Sequence, residues 1–307
     1  MSEEKMCKKI KRIKSYCKQI KINFKYTSKR AFVWTSSIIA AFQIVGFLCD
    51  FDSVFPDDWM FLTRLLVSAI IVVVLWCLAF IGWNIRVLNR ESVTVINADN
   101  GHCVYVEYGD ILSESEKKRN IVVTVNRCFD TIVDNDLITE NTVHGKVVKR
   151  ICNNGYTVEE LNDALQKDLL DNRHIKPNKT LLERDKRKGN LKRYPAGTIA
   201  EFNENNITYF FLGMSAFNKE LHPETTDIEY ANTIQSLIEY CNSRAQGFPV
   251  YIPIVGAYGR NHKKSERELL EYIVNCFRFH KHLINTDIHI VVYSGHRDEV
   301  SIYGLDS

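Results

Sequence analysis

Residues 31–49 and 65–83 form two uncharged apolar runs, close together near the N-terminus of a 307-residue chain. Each approaches the roughly 20 apolar residues with which a helix, rising 1.5 Å per residue, crosses about 30 Å of hydrocarbon. A helical hairpin inside a globular core would show polar residues at helical spacing, yet residues 67–83 offer only Ser68 and Cys77. The expectation is therefore two N-terminal transmembrane helices.

The flanks set an expected orientation. Before the first run, Lys5, Lys8, Lys9, Lys11, Arg12 and Lys14 begin a basic series that continues to Arg30 against only Glu3 and Glu4. The connection carries Asp50, Asp52, Asp57 and Asp58, and Arg86 and Arg90 follow the second run. Basic flanks stay in the cytoplasm, so both termini are expected there, in a multi-pass membrane protein with a short acidic loop outside. A signal peptide is a poor reading, because a long basic leader precedes the first run and no small-residue cleavage site follows it. The expected partition is a basic cytoplasmic leader at 1–30, a two-helix transmembrane region at 31–90 and a soluble domain at 91–307. Ser36, Ala40 and Gln43 place small residues and one amide on the first run, which suits either close helix association or plain exposure to lipid.

Composition narrows the chemistry. A formal net charge of +3 is too small to suggest nucleic acid, and the basic excess lies in the leader, where anionic headgroups would attract it. The leader reads either as an interfacial amphipathic helix carrying Ile10, Ile13 and Ile20 or as a flexible tail. Nine cysteines without a Cys-x-x-Cys pair suit a reducing compartment, with neither disulfide nor zinc expected. There is no Gly-x-x-x-x-Gly-Lys phosphate loop and no Gly-x-Ser-x-Gly elbow.

From residue 91 onward, strands and helices alternate. Strands are expected at 92–97 and 102–108 around Asn100-Gly101, at 121–125, 197–202, 207–214, 250–255 and 288–293, with an edge strand at 300–303. Helices are expected at 143–151, 158–170 and 225–245, and from Ser265, where Ser265-x-x-Glu268 spells a capping box. The basic stretch 172–193 reads as a solvated surface excursion. This alternation implies right-handed crossovers and a mixed sheet flanked by helices, with any ligand at the carboxyl ends of the strands.

A set of short segments stands at those strand ends. Gly109-Asp110-Ile111 follows the first strand pair, Val125-Asn126 ends a buried strand, Val143-His144-Gly145 opens a helix, and Ile252-Pro253-Ile254-Val255-Gly256 ends a later strand. Arg193-Tyr194-Pro195-Ala196-Gly197-Thr198 precedes another. In order and spacing these segments resemble the macro domain, and two apolar spans joined to such a diverged domain resemble the membrane effectors of type II Thoeris anti-phage systems.

The resemblance implies an ADP-ribose site, and each residue in it also has a plainer reading. Asp110, beside Ile111, either accepts a bond from an adenine amino group or caps a turn. Asn126 matches the Asn that holds the distal ribose, and by itself reads as a turn residue. Gly256-Ala257-Tyr258-Gly259-Arg260 offers backbone amides and one guanidinium to a pyrophosphate. Val143, His144 and Gly145 supply helix N-terminal amides. Phe129 and Asp130 stand where hydrolytic relatives carry a second Asn, so Phe129 either stacks on a ligand ring or fills the core. Asp130, Asp134 and Asp136 either engage a cationic or imidazole-bearing substituent or form a solvated acidic loop.

With that Asn missing and Glu140-Asn141-Thr142 in place of a glycine run, the resemblance implies a sensor rather than an enzyme. No catalytic residue, metal or cofactor is expected. The implied signal is an ADP-ribose derivative, histidine-linked, made from NAD by a TIR-domain partner. The resemblance also implies the bacterial inner membrane as the location, and signal binding is expected to trigger homo-oligomerisation in that lipid bilayer, membrane disruption and growth arrest. The alternative is a membrane-tethered ADP-ribosyl hydrolase.

Overall fold

The structure, a computed structural model, describes residues 3–49, 61–172, 174–256 and 264–305. The chain divides into two compact units, Met1–Glu91 with Arg297–Gly304, and Ser92–His296 with Leu305–Ser307.

In the first unit, α1 (Glu3–Cys49) is one helix of 47 residues and α2 (Phe61–Asn89) one of 29. Leu65–Asn89 is long and apolar enough to cross a membrane, the one such helix among the described residues. The first apolar run forms the C-terminal part of α1, and the acidic connection lies outside the described residues. Two membrane-spanning helices therefore remain an expectation. Along α1, Gln19, Asn23, Thr27, Ala31 and Thr35 recur every four residues and are all buried. Their polar groups are satisfied locally: the Asn23 amide donates to the Gln19 carbonyl at 2.8 Å, and the Thr35 hydroxyl to that of Ala31 at 2.9 Å. By contrast Ser36, Ala40 and Gln43 are not buried.

Residues 297–304 complete this unit. Ser301 Oγ donates to Asn23 Oδ1 at 2.5 Å, the Tyr303 ring lies 5.2 Å from that of Tyr26, and the Tyr303 hydroxyl donates to the Val87 carbonyl at 3.0 Å. The edge strand expected at 300–303 does not form. Its alternating apolar residues Val300 and Ile302 are buried in the helical unit instead of pairing with a sheet.

The second unit is built on one sheet in the order β1-β2-β10-β9-β3-β7-β6. Its strands are β1 (Ser92–Asn97), β2 (Cys103–Gly109), β3 (Arg119–Asn126), β6 (Ile199–Glu204), β7 (Ile207–Phe217), β9 (Val250–Pro253) and β10 (Ile288–Tyr293). The five central strands run parallel, while β1 and β6 pair antiparallel at the edges. The short β8 (Pro223–Glu224) adds to β7, and β4 (Lys179–Thr180) pairs with β5 (Lys192–Arg193) in a separate ribbon.

Central β3 is buried along nearly its whole length, which is why its sequence shows no polar alternation. One face of the sheet meets α3 (Val143–Asn153) and α4 (Val158–Lys167) through Ile121, Val123, Val147, Ile151 and Leu165. Helix α5 (Asp227–Arg244) meets the other, where the Phe210 ring stands 5.1 Å from Tyr240, and α6 (Glu266–Phe279) packs beside α5. Each buried Val, Ile or Leu side chain adds about 1.5–3 kcal/mol of burial. The expected Ser265–Glu268 capping box is present at α6, and Thr157–Glu160 and Thr226–Glu229 form the same device at α4 and α5.

Candidate functional site

The parallel strands all end at one rim of the sheet, and there a cavity of about 800 Å³ opens. That volume is within the roughly 300–1,000 Å³ of small-molecule sites. Gly109 and Asp110 after β2, Asn126 at the end of β3, Ser215 near the end of β7, Ile254 and Gly256 after β9, and Tyr293 at the end of β10 line it. Val143 and His144 at the start of α3 and Glu266 at the start of α6 complete the wall.

Asp110 faces the cavity while holding its own turn. Its Oδ1 accepts from the Leu112 amide at 3.0 Å, leaving Oδ2 without a hydrogen-bond partner among the described residues. The same geometry buries neighbouring Ile111 against the cavity wall. Asn126 also lines the cavity, but its amide is in use: Oδ1 accepts from the Cys128 amide at 2.9 Å and the side chain bonds Asp130. The turn role of Asn126 is thus plain in the geometry. Gly256 has φ of 87°, a left-handed conformation open to glycine at no steric cost. Ala257, Tyr258, Gly259 and Arg260 lie outside the described residues.

At α3, Thr142 is the N-cap, and its hydroxyl accepts from the Gly145 amide at 3.1 Å. That bond removes Gly145 from the set of free amides, and Gly145 does not line the cavity. It is needed for another reason: a Cβ there would collide with the Thr139 carbonyl oxygen. The amides of Val143 and His144 are those that a helix start leaves for a ligand. Burial pushes the His144 imidazole down to about 4, although a bond to the Asp130 backbone opposes this, and its Nε2 is buried with no partner among the described residues.

Phe129 and Asp130 do not belong to the cavity. Phe129, at φ of 55°, turns into the core with its ring 5.6 Å from that of Tyr194. Asp130 points into a buried polar knot. Its Oδ2 receives the Lys186 ammonium at 2.6 Å and its Oδ1 the Asn190 amide at 2.6 Å, with Lys186 and Asp130 side chains 0% and 1% exposed. Lys186 also donates to the Asn190 carbonyl at 2.8 Å, and Asn190 Nδ2 to the Phe129 carbonyl at 3.1 Å. Gly189, at φ of 81°, lets the backbone lie against Asp130 where any Cβ would clash. Most of the stretch 172–193 is exposed, as a surface excursion would be, but it is pinned into the domain at Leu181, Lys186 and Asn190.

The next two basic residues of that stretch stay outside. Arg187 pairs with Asp136 and Lys188 with Asp134. Of these, Arg187 and Asp136 line the cavity. A small apolar cluster of Leu137, Ile138 and Leu221 forms part of the same cavity wall. The cavity further includes Lys146, Glu220, His222 and His296, none of which the motifs had marked. Tyr293 was within reach of sequence reasoning, since it ends a strand at the rim where ligands of such sheets bind. Glu266 and His296 form a pair, Oε2 to Nδ1 2.9 Å, and Lys146 stands 5.8 Å from the centre of the Tyr293 ring. Among the described residues, no cluster of His, Cys, Asp and Glu is suited to a metal ion.

With this geometry in view, comparison with known proteins is specific. The family model described as Thoeris protein ThsA, Macro domain, matches residues 104–293. The Thoeris protein ThsA of Bacillus amyloliquefaciens (strain Y2) is 26% identical over 245 residues, which cover 78% of this chain and 78% of that protein. Two variants of an Oceanobacillus iheyensis macrodomain align with TM-scores of 0.43 and 0.43, at 15% and 14% identity. They cover 71% and 70% of this chain and 94% and 91% of their own.

Proposed function

Because the chain belongs to the Thoeris ThsA macro-domain family, we propose that it is a membrane-anchored anti-phage effector whose cavity binds an ADP-ribose-derived signal. At the family level it is a defence-related, ligand-binding macro domain. The observation that carries the finer reading is the cavity itself, with Asp110 at one strand end and the N-terminus of α3 at another. A carboxylate suits an adenine amino group, and helix-start amides suit a phosphate or ribose oxygen. The signal we favour is histidine-linked ADP-ribose made from NAD by a TIR-domain enzyme.

Sensing rather than hydrolysis is supported by Asp130. This carboxyl beside the cavity wall is committed to Lys186 and Asn190, and is thereby withheld from acting as a general base that activates water against a bound conjugate. The long apolar Leu65–Asn89 supports an anchor, and the uncovered Ser36, Ala40 and Gln43 support association between copies in the bilayer. Both termini are then cytoplasmic, and oligomerisation disrupts the inner membrane and arrests growth.

Purified full-length protein incubated with ADP-ribose and with histidine-linked ADP-ribose tests this reading. Recovery of intact conjugate bound to the protein is the expected result. Steady release of free ADP-ribose would instead establish the tethered hydrolase, and absence of binding to either compound would remove the nucleotide reading.

A further inference from the structure

We propose that Arg297–Gly304 is a strap through which occupancy of the cavity sets the packing of α1 and α2. The proposal rests on the ligand-binding reading of the cavity, and it concerns how that site is coupled to the anchor.

The strap begins at the cavity. His296, one residue before it, lines the cavity, bonds Glu266 at 2.9 Å, and stands edge-on to Tyr293 with ring centres 5.6 Å apart. Any ligand that moves Tyr293, Glu266 or His296 moves the residue from which the strap departs. The strap also ends in the macro domain: Leu305 is buried there, and its carbonyl accepts from Arg278 near the C-terminus of α6. Helix α6 thus touches the cavity through its first residue, Glu266, and holds Leu305, the residue that follows the strap, through Arg278.

Between those points the strap caps a helix. The last carbonyls of any helix lack intrahelical donors. Arg297 Nη2 donates to the carbonyls of Leu88 at 2.7 Å and Arg90 at 3.1 Å, and the Tyr303 hydroxyl donates to that of Val87 at 3.0 Å. A guanidinium is also the charge that the C-terminal end of a helix dipole favours. The same eight-residue stretch holds α1, through Asp298 to Lys18 at 3.3 Å and Ser301 to Asn23 at 2.5 Å. One short segment, tethered at both ends to the ligand-binding unit, therefore supplies the cap of α2 and a polar clasp on α1. A ligand shifts an equilibrium only by its differential affinity for two states, and the strap gives the cavity a state of the anchor to discriminate.

The test is hydrogen–deuterium exchange of the full-length chain in lipid nanodiscs, with ADP-ribose as the probe. In the wild type, ADP-ribose should slow exchange in the cavity segments and shift it in 297–304 and in 84–91. In Arg297→Ala/Tyr303→Phe, protection of the cavity segments should persist while the shift in 84–91 is lost. Ser301→Ala gives a milder version, with a reduced shift, should the double variant fail to accumulate. A shift in 84–91 that survives the double substitution, or cavity protection in the wild type with no change beyond residue 296, overturns the strap. If ADP-ribose gives no cavity protection, the nucleotide reading fails, and the strap is tested from the rim by Glu266→Gln. That substitution should raise exchange in both 297–304 and 84–91, and a rise confined to residues before 297 refutes the coupling.

Discussion

Lys186, Arg187 and Lys188 are consecutive, and each pairs with an aspartate: Asp130, Asp136 and Asp134. One pair is sealed beneath the cavity wall at 0% and 1% side-chain exposure, whereas Arg187 and Asp136 are 53% and 43% exposed. Opposite charges in contact thus do two different jobs. In the sealed pair neither ion can return to water, so losing one partner strands the other in a medium that solvates it poorly. At the rim, solvent screens the pair and holds it only weakly, so its ions stay available to a ligand.

The largest expected effect breaks the sealed pair. Lys186→Met should destabilise the macro unit by about 3–5 kcal/mol, and adding Asp130→Leu should restore much of that, because two apolar side chains leave no stranded charge. Urea unfolding followed by tryptophan-independent far-UV dichroism checks both variants. A single variant as stable as the wild type would place the knot among the rim pairs.

Acid should loosen the same knot through His144, which bonds the Asp130 backbone. Its folded pKa, about 4, lies below the ordinary 6.5, so its contribution is complete above pH 6.5 and is lost as pH falls toward 4. Full protonation would cost roughly 3 kcal/mol. Stability measured from pH 7 to 4.5 should fall, and His144→Phe should flatten that slope. An unchanged slope in the variant would assign the acid sensitivity to other groups.

At the rim the effect moves from stability to affinity. Asp110→Ala should weaken ADP-ribose binding by about 1.5–3 kcal/mol, the worth of a hydrogen bond to a charged group, while the lost turn bond to Leu112 changes stability by only about 1 kcal/mol. Calorimetry that finds equal affinity would remove Asp110 from the site. The smallest effect overall is expected for Arg187→Ala, a stability change of about 0–1 kcal/mol. A larger loss would mean that the exposed pair holds the loop as firmly as Lys186 does.

The same contrast explains what could be read in advance. Strand and helix order followed from periodicity, since β-branched runs such as Ile121–Val123 and the apolar face of α6 report burial locally. The identity of the domain came through short motifs at strand ends. Lys186 was not legible, because a lysine inside a basic stretch looks solvated until a carboxylate distant in sequence is brought against it. Asn126 was legible both as a motif position and as a turn residue, whereas the use of Gly145 was not, because its amide is taken by the Thr142 hydroxyl and its missing Cβ makes room for the Thr139 carbonyl. Residues 300–303 were misread because Val300, Ile302 and Tyr303 suit a strand by composition, and only the helices they meet show otherwise.

The buried stripe on α1 carries one more consequence, in helical phase. Residues four apart advance by about 40° around a helix of 3.6 residues per turn. From Gln19 to Thr35 the covered face therefore turns by about 160°, nearly to the opposite side of the rod. A single straight neighbour cannot follow such a rotation. Near Asn23 the face is met by Ser301, whereas farther along, Arg30 lies over the Trp83 ring of α2 at 5.9 Å. The winding of five residues thus calls for more than one partner, and at Asn23 the segment Arg297–Gly304 supplies one of them through Ser301.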